Sequence, residues 1–214
     1  MSAVHLTFDN GPHPEVTPRV LEVLGRHGVS ATFFVLGQHL AEPWGMSLAH
    51  QIRDAGHRLG NHSFTHQTPL GEDPRPDAVA LELARTQALL DQVWSGPRWF
   101  RPFGGGGVLG PHLLSPAAVE WLKTERMTCV LWTSVPGDWL DAAGWVDKAL
   151  ADAEAQPTDV VVLHDVLEEA SLHLDRFLDA LVARGHTFTA ALPPACLPIV
   201  DGVTQPGLRS FVAS

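Results

Sequence analysis

Cysteine is scarce in this sequence, with only two residues among 214. Cys129 lies in an apolar run and Cys196 in a proline-rich stretch, and neither forms the C-x-x-C pattern of zinc or redox sites. We therefore expect two reduced thiols with a structural role, as is usual in intracellular proteins.

Basic residues are also few: 14 lysines and arginines stand against 24 aspartates and glutamates, which gives a formal net charge of −10. They are scattered along the chain, which argues against nucleic acid, a membrane surface or a polyanionic substrate as a partner. No run of 18 apolar residues occurs, so no membrane-spanning helix is expected. With 45% hydrophobic and 18% charged residues, the composition is that of a folded globular protein.

The start of the sequence lacks a recognisable secretion signal. A strand-like segment, Val4–Phe8, begins almost at the first methionine and leaves no room for a charged stretch followed by an apolar one. We therefore expect a cytoplasmic protein. The length favours a single domain over residues 1–192, with residues 193–214 as a tail packed on its surface.

Short apolar runs alternate with segments of helical periodicity, which is the pattern of an α/β fold with a parallel sheet. Seven strands are predicted: Val4–Phe8, Ala31–Leu36, Arg58–Asn61, Trp99–Phe103, Thr128–Trp132, Val160–Leu163 and His186–Thr189. Five helices are predicted: Val16–His27, Asp77–Trp94, Pro111–Glu125, Ala142–Glu154 and Glu169–Arg184. Either both sheet faces are covered or the sheet closes into a barrel, and periodicity does not separate these arrangements.

Polar residues follow the first and third strands. Asp9 and Asn10 leave the first strand just before a Gly-Pro turn, and His62 and His66 follow the third strand four residues apart. Because active sites form at the carboxyl ends of parallel strands, these groups are candidates for a shared site, although Asp-Asn-Gly-Pro alone is also an ordinary turn. If the loop turns helically, the two histidines can share one metal ion; the same spacing also occurs on solvated helix faces.

The fourth strand ends in Arg101, Phe103 and a run of four glycines that begins at Gly104. Arg101 can orient a neighbouring carboxylate such as Asp9, or it can form a purely structural salt bridge. The glycine run offers backbone that a ligand can approach closely, but it lacks the strand–helix context of a dinucleotide-binding loop.

A histidine follows the sixth strand. His164 would lie at the pocket rim, and Asp138, beyond the fifth strand, could hydrogen-bond one ring nitrogen and favour the imidazolium. His164 is then a candidate general acid, although His-Asp after a strand is often structural.

These five motifs, in this order, closely resemble those of the polysaccharide deacetylase family, also called carbohydrate esterase family 4, over residues 4–190. The resemblance implies a distorted (β/α) barrel and a hydrolase site with a divalent metal ion, zinc being favoured over cobalt or nickel. It implies these roles: Asp9 as base, His164 as acid, Arg101 orienting the base, Asp138 tuning the acid, His62 and His66 as metal ligands, Ser63 bracing the metal loop, Trp139 as a pocket wall, and Val162 and Leu163 lining the acyl pocket.

The sequence departs from the family pattern at two positions. Asn10 stands where the family has a metal-binding aspartate; an amide oxygen can still bind a cation but brings no negative charge, so weaker or altered metal binding is expected. Val135 stands where the family often has the earlier aspartate of its Asp-x-x-Asp-Trp motif.

The leading hypothesis is metal-assisted removal of an acyl group, chiefly acetyl, from an amino sugar or polysaccharide, with a backbone N–H near Gly104 helping to stabilise the oxyanion. One alternative is a cytoplasmic amidase or deformylase acting on a small amide or cyclic imide. Another is a catalytically weakened carbohydrate-binding relative, in which Trp139, Trp132 and Phe103 stack on sugar rings. The oligomeric state is not predicted.

Overall fold

A computed structural model describes residues 2–214, which form a curled, mostly parallel sheet with helices packed around it. The strands are β1 Ala3–Asp9, β2 Thr32–Val35, β3 Arg58–Asn61, β4 Trp99–Phe100, β5 Thr128–Cys129, β6 Thr158–His164, β7 Thr187–Phe188, β8 Ile199–Val200 and β9 Val203–Thr204. The helices are α1 Val16–His27, α2 Gly37–Leu40, α3 Gly45–Asp54, α4 Arg85–Leu90, α5 Pro116–Thr124, α6 Trp145–Ala155, α7 Glu168–Ser171 and α8 Leu174–Ala183. A π-helical turn at Val79–Ala84 precedes α4.

The sheet runs in the order β6-β1-β2-β3-β4-β5-β8-β9, and β7 pairs with the start of β1. The first seven strands pair in parallel. An isolated bridge between Ser134 and Val161 joins the segment after β5 to β6, so the sheet curls back on itself. This arrangement confirms the predicted distorted barrel of about seven parallel strands.

Apolar residues fill the space between the sheet and the helices. Val4, Leu6 and Phe33 are fully or almost fully buried against α1, α3, α6 and α8, and a second cluster surrounds Phe100 and Cys129 on the other side of the sheet. Helix α1 ends as predicted at Gly28, whose φ of 63° is a left-handed conformation that favours glycine. No helix within residues 2–214 has both the length and the apolar character needed to cross a bilayer.

The C-terminal segment was predicted as a tail along the surface, but it also adds two strands to the sheet. Residues 193–214 pack on the domain, but Ile199 also pairs antiparallel with Cys129 of β5, and β8 and β9 form a hairpin at the sheet edge. Ile199 is completely buried. The segment therefore completes the core beside β5, because that short strand would otherwise leave an unpaired edge.

Both thiols are buried and free in the structure. Burial raises the pKa of Cys129 to about 12 and that of Cys196 to about 11. Because the thiolate is the reactive form, neither cysteine is expected to react with Ellman's reagent in the folded protein, whereas both should react in guanidinium. Rapid reaction of one thiol under native conditions would contradict this prediction.

Candidate active site

The strand-end motifs surround one cavity of about 250 Å³ at the carboxyl end of the barrel. Asp9, Asn10, His62, His66 and His164 all line it. Parallel strands present their carboxyl ends at the same edge of the sheet, so residues distant in sequence meet there. The structure thus brings together the residues predicted as base, acid and metal ligands.

Arg101 holds Asp9 in place. Its side chain is completely buried, and Nη1 donates to Asp9 Oδ1 at 2.9 Å and to the Thr7 hydroxyl at 2.6 Å. The guanidinium also lies 4.2 Å from the centre of the Phe34 ring. A buried charge requires such partners, so Arg101 neutralises and orients the Asp9 carboxylate at the cavity floor.

His62 is held as a neutral ring with one nitrogen facing the site. Nδ1 lies 2.8 Å from the backbone oxygen of Arg101, and since a carbonyl can only accept, Nδ1 carries the proton. Nε2 lies 3.5 Å from Asp9 Oδ2. Burial, together with the charge of Arg101, lowers the pKa of His62 to about 3. A backbone acceptor on one nitrogen and a free lone pair on the other is the usual preparation of a histidine metal ligand.

His66 lies beside His62, with 4.8 Å between the ring centres. Burial lowers its pKa to about 3, so the ring is also neutral. The loop is not the helical turn on which the sequence argument relied, because Ser63 and His66 have left-handed φ values of 69° and 56°. The loop instead folds on itself, and the Ser63 hydroxyl accepts a bond from His66 N at 3.3 Å, in line with the supporting role predicted for Ser63.

Glu82 is a supporting residue that the sequence did not reveal. From the π-helical turn, its Oε2 accepts from the backbone N–H groups of Phe64 and Thr65 at 3.0 and 2.8 Å, and its Oε1 accepts from Arg75 at 2.9 Å. Its side chain is buried, yet in the sequence it resembles any polar residue within a helical segment. Glu82 therefore fixes the loop that carries both histidines.

The side-chain oxygen of Asn10 is a candidate metal ligand. Its Oδ1 is buried without a hydrogen-bond partner among residues 2–214, and its φ of 74° is a conformation that asparagine tolerates. In the described chain no three His, Cys, Asp or Glu side chains form a metal-binding group by themselves. The orphaned amide oxygen lines the same cavity as the two neutral imidazoles, so Asn10, His62 and His66 are the residues that could hold a divalent cation there.

Replacing Glu82 with glutamine is expected to weaken zinc binding by about 10–100-fold, the usual effect of disturbing groups that orient metal ligands. An amide cannot accept bonds on both of its terminal atoms, so Phe64, Thr65 and Arg75 lose part of their anchor. Calorimetric zinc titration measures the effect. Glu120→Gln, an exposed residue paired with Lys123, is the control, and equal affinity in both variants would contradict the anchoring role.

His164 is paired with Asp138 and lines the same cavity as the histidine loop. Its Nδ1 lies 2.7 Å from Asp138 Oδ1, and its backbone N–H donates to Oδ2 at 2.8 Å. Burial opposes protonation of this ring, but the hydrogen bond and charge of Asp138 outweigh it and raise the pKa of His164. His164 thus favours the imidazolium, the form that a proton donor needs.

The predicted substrate-side residues divide into two groups. Phe103, Gly104, Trp139 and Val162 line the cavity, and Trp139 is 41% exposed with its ring edge-on to His164. The prediction for Leu163 is wrong: it faces the core with Trp145, because successive side chains of β6 point to opposite sides of the sheet.

Three aliphatic cavity residues had no predicted place in it, and Trp132 was predicted there only in the carbohydrate-binding alternative. Trp132 donates from Nε1 to the carbonyl of Gly107 at 2.8 Å and so fixes the glycine loop. Val135, Val166 and Leu167 complete an apolar wall. Val135 was noted only as a departure from the family pattern, and nothing in the sequence marks Val166 or Leu167.

Comparison with known proteins supports the family resemblance that the motifs indicated. The polysaccharide deacetylase family profile matches residues 1–108. A chitooligosaccharide deacetylase from Azorhizobium caulinodans is 31% identical over 169 residues, which cover 77% of this chain and 74% of that protein.

Solved structures give the same result. A family 4 acetyl xylan esterase from Clostridium thermocellum in complex with a cobalt ion has a TM-score of 0.69 at 27% identity, covering 88% of this chain and 87% of that one. A CE4 family pseudoenzyme from Bacillus anthracis has a TM-score of 0.73 at 25% identity, covering 87% of this chain and 63% of that one. A mutant of that pseudoenzyme is described as having restored enzymatic activity.

Proposed function

Because the chain belongs to the polysaccharide deacetylase family, we propose that it hydrolyses an acyl amide, chiefly an N-acetyl group, on an amino sugar. The observation that carries this proposal is the pair Asp9 and His164, which face each other in register at the ends of the adjacent strands β1 and β6 and line one cavity, each held by its own buried partner. A carboxylate fixed by arginine and an imidazolium fixed by aspartate are suited to remove one proton and supply another.

Asp9 acts as the base in this proposal. Its carboxylate accepts the proton of the attacking water while Arg101 keeps it aimed into the cavity. His62, His66 and Asn10 would hold a divalent cation, zinc being favoured over cobalt or nickel, which when bound would polarise the acyl carbonyl and acidify the water. The cobalt ion in the related esterase supports a metal-dependent reaction.

His164 acts as the acid. Asp138 holds Nδ1, which leaves Nε2 to donate to the departing amine. Gly104 lies on the cavity wall, and in this proposal its backbone N–H stabilises the developing oxyanion. Val162, Val135 and Trp132 form the apolar wall that receives the acyl methyl.

The activity is tested by measuring acid release from two substrate sets. Acetate release from chitin oligosaccharides and N-acetylglucosamine derivatives, abolished by chelation and restored by zinc, supports the proposal. Faster turnover of formamides, other small amides or cyclic imides than of any acetylated sugar would instead establish the amidase alternative.

A catalytically weakened carbohydrate-binding protein is the second candidate. Two observations favour it: Asn10 brings no charge to the metal, and a structurally similar CE4 family protein is a pseudoenzyme. The intact Asp9–Arg101 and His164–Asp138 pairs favour the enzyme, because sugar binding needs neither. Binding of chitin oligosaccharides with no acetate release at any metal concentration would decide for the second candidate.

Replacing Asp138 with asparagine is expected to lower the upper pH limit of activity. His164 works when protonated, so activity falls as pH rises through its pKa, and the raised pKa extends activity to higher pH. Loss of the adjacent charge lowers that pKa, so the alkaline limb of kcat should move down by about one pH unit or more. Asp179→Asn, an exposed residue, is the control. An unmoved limb would remove His164 from the acid role.

A further inference from the structure

A second cavity lies at the opposite end of the barrel from the candidate active site. It measures about 220 Å³ and opens between the first residues of β2 and β3. Its lining residues are His5, Ser30, Ala31, Thr32, Gly56, His57, Arg58, Trp94 and Ala190. No carboxylate is among them, although the chain as a whole carries ten more acidic than basic side chains.

Arg58 brings an unpaired positive charge to this cavity. Its guanidinium lies 3.7 Å from the centre of the Trp99 ring, and within residues 2–214 it forms neither a salt bridge nor a side-chain hydrogen bond. Partial burial lowers the pKa of Arg58, since no acidic neighbour offsets the loss of water. Stacking on the indole leaves all five N–H donors of the fork in plane and available.

His5 adds a buried group that lacks a partner. The residue is 3% exposed; Nε2 lies 3.0 Å from the Thr32 hydroxyl, and Nδ1 has no hydrogen-bond partner in the described chain. Burial and the charge of Arg101 lower the pKa of His5 to about 4, although the backbone of Ala191 and Ala190 acts in the opposite direction, so the ring is neutral at pH 7. A buried ring nitrogen without a partner is costly unless something else satisfies it.

His57 presents a third donor. Its Nδ1 accepts from the backbone N–H of Ala31 at 3.2 Å, so the proton of the neutral ring lies on Nε2. Burial lowers the pKa of His57, which favours this neutral tautomer. Nε2 makes no hydrogen bond with any residue of the described chain, and Ser30 and Thr32 contribute hydroxyl groups to the same cavity.

From this arrangement we propose that the His5–Arg58 cavity binds a small oxyanion, a phosphate or a carboxylate. A guanidinium fork matches two oxygens of such an anion. His57 Nε2 supplies a further donor, as does His5 Nδ1 in the tautomer in which Nε2 accepts from the Thr32 hydroxyl, and no lining carboxylate competes. The site is independent of the proposed hydrolysis, since it lies four residues back along β1 from Asp9 and opens at the other end of the strands.

Calorimetric titration with inorganic phosphate and, separately, with acetate tests the proposal at constant ionic strength, with sodium chloride as the blank. We expect binding of at least one anion in the millimolar range or tighter, weakened at least tenfold by Arg58→Gln and unchanged by Arg53→Gln. Arg53 is the matched control because it is already paired with Asp54 outside the cavity. The anion that binds more tightly, phosphate or acetate, identifies the class of ligand.

Ring ¹⁵N spectra of the wild-type protein provide a second measurement that does not depend on how the variants fold. In the wild-type protein, the His5 and His57 resonances are expected to shift as the anion is added. In a separate titration of Arg58→Lys, the shift should be smaller, because lysine keeps the charge but lacks the planar guanidinium. Binding of neither anion, or binding that Arg58→Gln leaves intact, as for an anion held only at the catalytic metal, would overturn the proposal.

Discussion

Replacing Asp9 with asparagine is expected to lower kcat for deacetylation by about 10²–10⁴-fold, the usual contribution of a general base. The amide is nearly isosteric with the carboxylate and can still accept a bond from Arg101, but it cannot take a proton from water. The loss should appear at every pH, because among residues 2–214 no other carboxylate lines the cavity. Steady-state acetate release from a chitin oligosaccharide measures it.

Stability must be measured beside activity, because the substitution leaves a completely buried arginine without its counter-ion. Breaking a buried pair in this way typically costs about 3–5 kcal/mol. Circular dichroism melts establish that the variant is folded at the assay temperature. A folded Asp9→Asn protein with wild-type kcat would exclude Asp9 as the base.

His164→Ala provides the complementary test of the acid. We expect a loss of similar size, about 10²–10⁴-fold, and partial recovery on adding imidazole, because the deleted ring leaves space against Asp138. Rescue by a small acid separates a proton-transfer role from a structural one. A loss that imidazole does not restore for any substrate, together with a lowered melting temperature, would assign His164 to structure.

The sequence predicted which residues line the cavity better than it predicted the bounds of the elements around it. Asp9 and His164 end β1 and β6, and His62 and Arg101 directly follow β3 and β4. The geometry of parallel strands requires that such positions meet at one edge. The strand lengths differ from the prediction in both directions: β1 and β6 are longer than predicted, whereas β4 ends at Phe100 and not at Phe103. Pro102 follows directly after Arg101 and cannot donate to a strand ladder, so the backbone leaves the sheet there.

Other features lay beyond single-sequence reasoning because they depend on contacts distant in sequence. Glu82 is one of several acidic residues on a helical segment, and only the fold brings it under the histidine loop. Helix α3 was not predicted, although Leu48, Ala49 and Ile52 occupy its buried face. Leu163 is different: strict alternation along β6 already places it opposite Val162, so that error could have been avoided.

Replacing Asn10 with aspartate is expected to tighten zinc binding at least tenfold, which corresponds to about 1.4 kcal/mol. The orphaned Oδ1 becomes one oxygen of a carboxylate, and a negative charge joins two neutral imidazoles. Calorimetric zinc titration measures the change, with cobalt and nickel as parallel probes. Gln92→Glu, at an exposed position, is the control. Asn61→Asp is unsuitable, because the Asn61 side chain bonds the backbone of Leu83 and Ser63 and so supports the histidine loop.

Activity of the same variant separates the two functions proposed for the chain. If weak metal binding limits an otherwise intact enzyme, Asn10→Asp should release acetate faster at low zinc and equal the wild type once zinc saturates both proteins. If the chain is a carbohydrate-binding relative, the variant should gain activity that the wild type lacks even at saturating zinc. Equal zinc affinity in the two proteins would show that Asn10 does not contact the metal, and both readings of this position would then fail.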